Sequence, residues 1–429
     1  MSVPDIHQLL LAEVGGMLER LGLTRRLALG FPMPMAAALT PRAASLIDGL
    51  IETERSRCAG AARALQTWLQ GRGRVMPVHL KQQRLAATRM RFQDWLEQLD
   101  IFSDVVSQRG EADVGVWASG LEVLAEESLE LPPHIPPPPI ICSIEKGIGA
   151  AIRRAATRLP GGSPNPVAVI HVPRERLACS AVGGSLIHEV GHQWSALLGL
   201  REKAVSALQA NLFGASQAES TLWSLWSSWI SEILSDLWSV AHLGAAAVIG
   251  MQSVMTLPNH YIFALKPGDP HPIPWVRVIL QSVMGEHLHP DPQWARLRFI
   301  WKSRYPLSGA PPTMRCLLER LENHAANFSR ALLAAPTGLA GQTLGDLCRK
   351  PDRSPAALRA LGADGRGDYL SGIPSKTRAL AVLGQMVFEQ QIDPASERKL
   401  LTNLVFDWAQ KRALGTSTHS STTQPIHPN

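Results

Sequence analysis

SLIHEVGHQWSALLGL, residues 185–200, sets two histidines and a glutamate inside an otherwise apolar run. A helix advances 3.6 residues per turn, so positions four apart share a face. His188 and His192 therefore project the same way, with Glu189 beside them. Two imidazoles so placed can grip one zinc ion, and the neighbouring carboxylate can work on a water bound to that ion. Leu186, Ile187, Val190, Trp194, Leu197 and Leu198 surround the three, so the helix reads as buried. The competing reading makes the pair core histidines bonded to backbone carbonyls. That leaves two imidazoles and a glutamate buried side by side with little to offset their desolvation. An H-E-x-x-H match arises by chance in roughly one chain in a hundred of this length, so its context decides.

A catalytic zinc takes three protein ligands and keeps one position open. A third histidine on the same helix, as in HExxHxxGxxH, is excluded because Ser195 and Leu198 hold those positions. Three glutamates remain. Glu202 follows the helix too soon for the chain to turn back, and Glu219 has Trp223 one turn on, which offers the site nothing. Glu232, in WISEILSDLWSV, has Asp236 one turn on and on the same face. Glu232 is expected to bind the metal, and Asp236 to accept the distal N–H of a ligating histidine. Trp229, Ile230, Ile233, Leu234, Leu237 and Trp238 argue against a solvated acidic face.

HEVGH followed by EILSD resembles the gluzincin metallopeptidases, the thermolysin-like class, with HExxH on one helix and ExxxD on the next. GDPHPIPWVRVIL (268–280) adds His271-Pro272, four residues, then Arg277. That HPxxxxR pattern is similar to the group holding the prenyl-protein (CAAX) endopeptidases and the bacterial heat-shock membrane protease. The motifs span residues 185–280, and VAVIHV (167–172) extends the likeness back to about 165. The resemblance implies one Zn2+ on His188, His192 and Glu232, with Glu189 as general base toward the zinc-activated water. It makes His271 the donor to the oxyanion, with His260 and Tyr261 in PNHYIFALKPGD as alternatives. Arg277 would orient substrate, lock its loop, or form an ordinary salt bridge. In gluzincins the strand before the metal helix is an edge to which substrate backbone pairs, and VAVIHV is the candidate. His171 on that strand reads as structural. Members of the group usually carry clear transmembrane helices, and none is expected in this chain, so their membrane substrates are not carried over.

The chain has 429 residues, 45% of them hydrophobic, which allows a large core. Its formal charge is +6, and the basic stretch RGRVMPVHLKQQRLAATRMRF (72–92) reads as a solvated helix face, so no nucleic-acid partner is expected. Five scattered cysteines without a CxxC pair suit reduced thiols and a cytoplasmic protein. The N-terminus has no signal-peptide pattern. LWSVAHLGAAAVIGMQSVM (237–255) approaches bilayer length but contains His242 and Gln252, so it reads as a buried helix and no stable membrane span is expected.

The fold class expected is mainly α (α+β). A zincin-like core with a small mixed sheet (132–306) is flanked by helical regions (1–131 and 307–414) and a disordered tail (415–429). LPPHIPPPPI (131–140) cannot be helix and marks the first boundary; RYPLSGAPPT (304–313) reads as a second linker. SIEKGIGAAIRRAATRL (143–159) reads as helix, VAVIHV as strand, and Gln217 to Met255 as one long helical stretch whose Trp223, Trp226 and Trp229 form a core stripe. The function expected is a soluble zinc metallopeptidase acting on a peptide or protein substrate. The alternative is a catalytically inactive metal-binding or scaffold protein of the same fold, against which the intact Glu189 argues. The flanking helices leave room for a partner protein that regulates a toxin or processing enzyme.

Overall fold

Apolar residues recur at helical spacing along most of the chain, and the molecule is mainly helical with one three-stranded mixed sheet. The computed structural model describes residues 3–24, 26–147, 150–212, 215–363 and 367–420. It divides into two compact units. One comprises Met1–Ser119, Pro138–Ser143 and Arg153–Val169; the other comprises Gly120–Pro137, Ile144–Ile152 and Ile170–Asn429. The segment after the proline run is divided between the two units, and the second unit runs on past residue 306 to the end of the chain.

In the first unit, helices Val3–Leu23, Pro41–Gln70 and Val78–Ser107 carry apolar stripes. Leu10, Val14, Met17 and Leu21 meet Cys58, Ala62, Leu65 and Leu69, and Leu85, Phe92 and Trp95 complete that cluster. A second cluster joins Ile47 and Ile51 to Phe102, Val105 and Val106. The Pro41–Gln70 helix starts where sequence rules place it: Thr40 accepts from the Ala43 N–H, and Pro41 occupies the first turn.

The second unit is built around the HEVGH helix, Ala181–Leu197, and the helix carrying Glu232, Ile230–Leu243. Both are buried along nearly their whole length. They cross closely because the contact residues are small. A Cβ on Gly191 would lie 2.8 Å from the Cα of Ser235, nearer than real contacts allow. The Ser239 hydroxyl donates to the Gly184 carbonyl at 3.0 Å, tying the same faces together. Helices Ala245–Val254, Pro274–Leu288 and Lys376–Phe388 pack around this pair.

Several elements depart from the sequence reading. The helix expected over 143–159 is absent. Strands β1 (Ile140–Glu145) and β2 (Ala151–Arg153) take its place, and with β3 (Ala168–Pro173) they form a sheet in the order β1-β3-β2. The buried run Ile140, Ile141 and Ile144 favours strand, and Ala156 adopts a positive φ of 64° that no helix accommodates. VAVIHV is a strand, but it is the central one rather than an edge. The stretch from Gln217 to Met255 is three helices, broken at Trp229 and at Gly244. No helix among the described residues is long and apolar enough to cross a membrane. The last helix, Pro394–Ser420, includes residues 415–420 of the tail expected to be disordered; residues 421–429 lie outside those described.

Gly191→Ala is expected to force the two central helices apart, at a cost of about 1–3 kcal/mol. Thermal melting and metal titration should show a lower Tm and at least a roughly tenfold loss of metal affinity. Gly184→Ala, whose Cβ would meet Ala247 at an ordinary 3.5 Å, is the matched control and should change neither.

Candidate metal centre

His188 and His192 lie one turn apart on the HEVGH helix, their rings edge to face with centroids 4.9 Å apart. Glu232 enters from the crossing helix. Its two carboxylate oxygens divide between the imidazoles: Oε2 is 3.2 Å from His188 Nε2, and Oε1 is 3.3 Å from His192 Nε2. All three side chains offer a ligand atom within 4.8 Å of the others. Donors at about 2.1 Å from one ion in tetrahedral array stand about 3.4 Å apart, close to the two histidine–glutamate distances. His188, His192 and Glu232 thus form a group that could hold a metal ion. His188 and Glu232 are buried and His192 is half-buried.

Asp236 sits behind His188, with Oδ1 2.8 Å from Nδ1. The approach is oblique to the ring N–H, so it acts as an ion pair more than as a hydrogen bond. It leaves Nε2 as the nitrogen facing the ligand group. Arg277 is buried and forks onto Asp236: Nε donates to Oδ2 at 2.7 Å and Nη2 to Oδ1 at 2.9 Å. Nη2 also donates to Glu232 Oε2 at 3.2 Å. Among the readings open for Arg277, the geometry is that of a buried salt bridge locking the two acids.

The charges explain the titration of the group. Burial works against a charged His188, but Asp236 and Glu232 outweigh it and raise its pKa to about 9. His192 is driven down to about 4, first by burial and then by the charge on His188. Burial would raise Glu232, yet His188, Arg277 and His192 hold it at about 2; Asp236 is likewise held well below the carboxylate range. Glu189 moves the other way, raised by burial and by the nearby Glu232 charge. Its carboxyl has no hydrogen-bond partner among the described residues and lines the cavity beside the metal group.

That cavity, about 430 Å³, is bounded on one side by His188, Glu189 and Glu232 and on the other by apolar side chains, including Met251, Val254, Leu257 and Leu265. His271 stands at its edge, half exposed, with Nε2 3.4 Å from Glu232 Oε2. Asp269 holds the opposite nitrogen, Nδ1, at 2.6 Å and also accepts from the His271 backbone N–H at 3.0 Å. Tyr261 lines the cavity, whereas His260 does not and instead packs its ring against Tyr261. His171 pairs across the sheet with Glu145. Glu219 is a helix cap: Ser216 donates to it from both N–H and hydroxyl. Glu202 is exposed on the surface near Arg201.

The structure therefore brings together His188, Glu189, His192, Glu232, Asp236, His271 and Arg277, and leaves Glu202, Glu219, His171 and His260 outside. The sequence reading missed Asp269, although the D-x-H spacing in GDPH was legible. It also missed the apolar cavity wall, whose residues come from separate segments.

Glu232→Ala should lose bound metal, while Glu219→Ala keeps it, as read by metal content after dialysis. Metal binding needs a neutral His188, whereas His192 and Glu232 already have their metal-binding forms at neutral pH. Lowering the pH restores the competing proton. Apparent affinity, measured against a competing chelator, should rise about tenfold per pH unit from about 7 to 9 and then level off. A flat profile would place a neutral imidazole at 188 from the outset. No family model, curated protein or solved structure matches the chain, so the assignment rests on the geometry of the site itself.

Proposed function

We propose that the chain is a zinc-dependent metallopeptidase of the gluzincin kind, with His188, His192 and Glu232 holding the ion. One observation carries the reading: a three-residue group whose ligand atoms lie within 4.8 Å of one another has a carboxylate without a hydrogen bond, Glu189, beside it, and His188, Glu232 and Glu189 line one cavity. Two imidazoles and one carboxylate are a ligand set typical of catalytic zinc. When bound, zinc supplies Lewis acidity and brings the pKa of a coordinated water down to about 7.

The remaining work falls to the side chains. Glu189 takes the proton of the attacking water at a carboxylate oxygen and delivers it to the departing amine nitrogen. Its raised pKa suits a group that must both accept and return a proton. His271, with Nδ1 held by Asp269, presents Nε2 toward the metal group, where it can donate to the oxygen of the attacked carbonyl. Asp236 and Arg277 keep the His188 ring from rotating. The apolar wall of the cavity receives a substrate side chain and excludes water. Because VAVIHV is central in the sheet, substrate backbone has to pair elsewhere. The edge strand β2 begins one residue after Ala150, which lines the cavity, and is the better candidate.

Glu189→Gln keeps size and hydrogen bonding but cannot accept a proton. Against unfolded casein it should lower turnover by about 10²–10⁴-fold while zinc content stays at parent level. Turnover by the Glu189→Gln variant equal to that of the parent would remove Glu189 from the chemistry and with it this reading.

A further inference from the structure

A second feature lies in the first unit, far from the metal group in sequence. Residues 55–93 contain nine arginine or lysine residues and no aspartate or glutamate. They form the outer half of the Pro41–Gln70 helix, a tight turn, and the first half of the Val78–Ser107 helix: a helical hairpin with charge of one sign. Toward its base the charges are offset by acids outside the segment, Arg55 by Glu52, Arg57 by Glu54 and Arg89 by Glu13. Nearer the tip they are not. Arg72, Arg74 and Arg84 pair with no acid among the described residues, and the Arg84 guanidinium lies over the Trp68 ring, 4.3 Å from its centroid.

The turn also exposes apolar side chains. Val75 is 86% exposed, and Met76 and Leu80 are also exposed. The turn has little freedom to bury them. A Cβ on Gly73 would lie 2.6 Å from the Trp68 ring, so the turn is seated on that indole, and Lys81 Nζ closes it by donating to the Arg74 carbonyl at 3.0 Å. Exposed aliphatic side chains at the turn, close in sequence to arginines that pair with no acid among the described residues, match a surface that is apolar beneath and anionic above. A nucleic-acid duplex offers phosphates for the arginines but no medium for Val75, Met76 and Leu80, and no aromatic side chain at the tip is placed to stack on a base.

We infer that this hairpin tip is a peripheral attachment site for an anionic phospholipid surface. Val75, Met76 and Leu80 enter the boundary between headgroups and acyl chains, and Arg72, Arg74 and Arg84 meet lipid phosphates. The site is independent of the metal group and needs no membrane-spanning segment.

Co-sedimentation of the full chain with vesicles tests this. Vesicles of phosphatidylcholine with about 30 mol% phosphatidylglycerol should carry the protein down, and pure phosphatidylcholine vesicles should not. Raising salt from about 0.1 to 0.5 M should weaken binding. Val75→Ser with Met76→Ser should reduce the bound fraction at least about fivefold, and Arg72→Glu with Arg74→Glu should abolish it. All four positions are exposed, so both double variants should melt like the parent and keep its metal content. No sedimentation with the anionic vesicles overturns the inference. So does binding that survives the serine pair, or a short DNA duplex that displaces the protein from vesicles, since either reduces the tip to a polyanion contact.

Discussion

The HEVGH helix and the Glu232 helix cross where Gly191 meets the backbone of Ser235, and side-chain reach there limits everything built on the crossing. A glutamate extends only a few ångströms from its helix. Placing its two oxygens 3.2 and 3.3 Å from imidazoles on another helix requires the axes to come closer than ordinary side chains permit. Gly191 removes a Cβ from the interface, small serines stand at 235 and 239 on the facing helix, and the Ser239 bond to the Gly184 carbonyl ties the two together. The ligand group is thus a consequence of backbone proximity.

A cluster of Glu189, Glu232 and Asp236 in a buried site would repel itself, and Arg277 resolves this. Its guanidinium spans Asp236 and Glu232, while His188 sits between the same two acids. The desolvation of each charge is offset by a partner in fixed geometry. The group lies within a large helical core, with His188, Glu232, Asp236 and Arg277 all buried. It also separates roles among like residues. Glu232 and Asp236 are tied to cations and stay ionised, whereas Glu189, sharing the same helix turn as His188 but left without a hydrogen bond, is pushed toward the protonated form. Environment thus separates two acids held ionised from one driven toward its neutral form.

The legibility of these features follows their range. Helical spacing put His188, Glu189 and His192 on one patch, and the one-turn spacing of Glu232 and Asp236 marked the second helix, because both depend on periodicity within a single segment. The apolar flanks identified burial correctly. Where two local preferences competed, local reading failed. AAIRRAATRL has helical composition, but pairing with β3 and the buried isoleucines of β1 override it. VAVIHV was recognisable as a strand, yet its place at the centre of the sheet depends on which other segments pair with it. The cavity wall draws on the segment from Met251 to Leu265 and on the HEVGH helix, and no spacing rule connects them.

What the sequence by itself determined was which residues share a helix face: two imidazoles one turn apart with a carboxylate beside them, an acid pair at the same interval, and the helices that bear them. Those rest on the 3.6-residue repeat, which acts over a few neighbours and is written into the order of residues. Only the tertiary structure decided which acid reaches the histidines, which are left capping a helix or facing solvent, what role Arg277 takes, and which strand has a free edge. Those depend on distances between segments far apart in the chain, set by how thin each interface can be and how buried charges find partners.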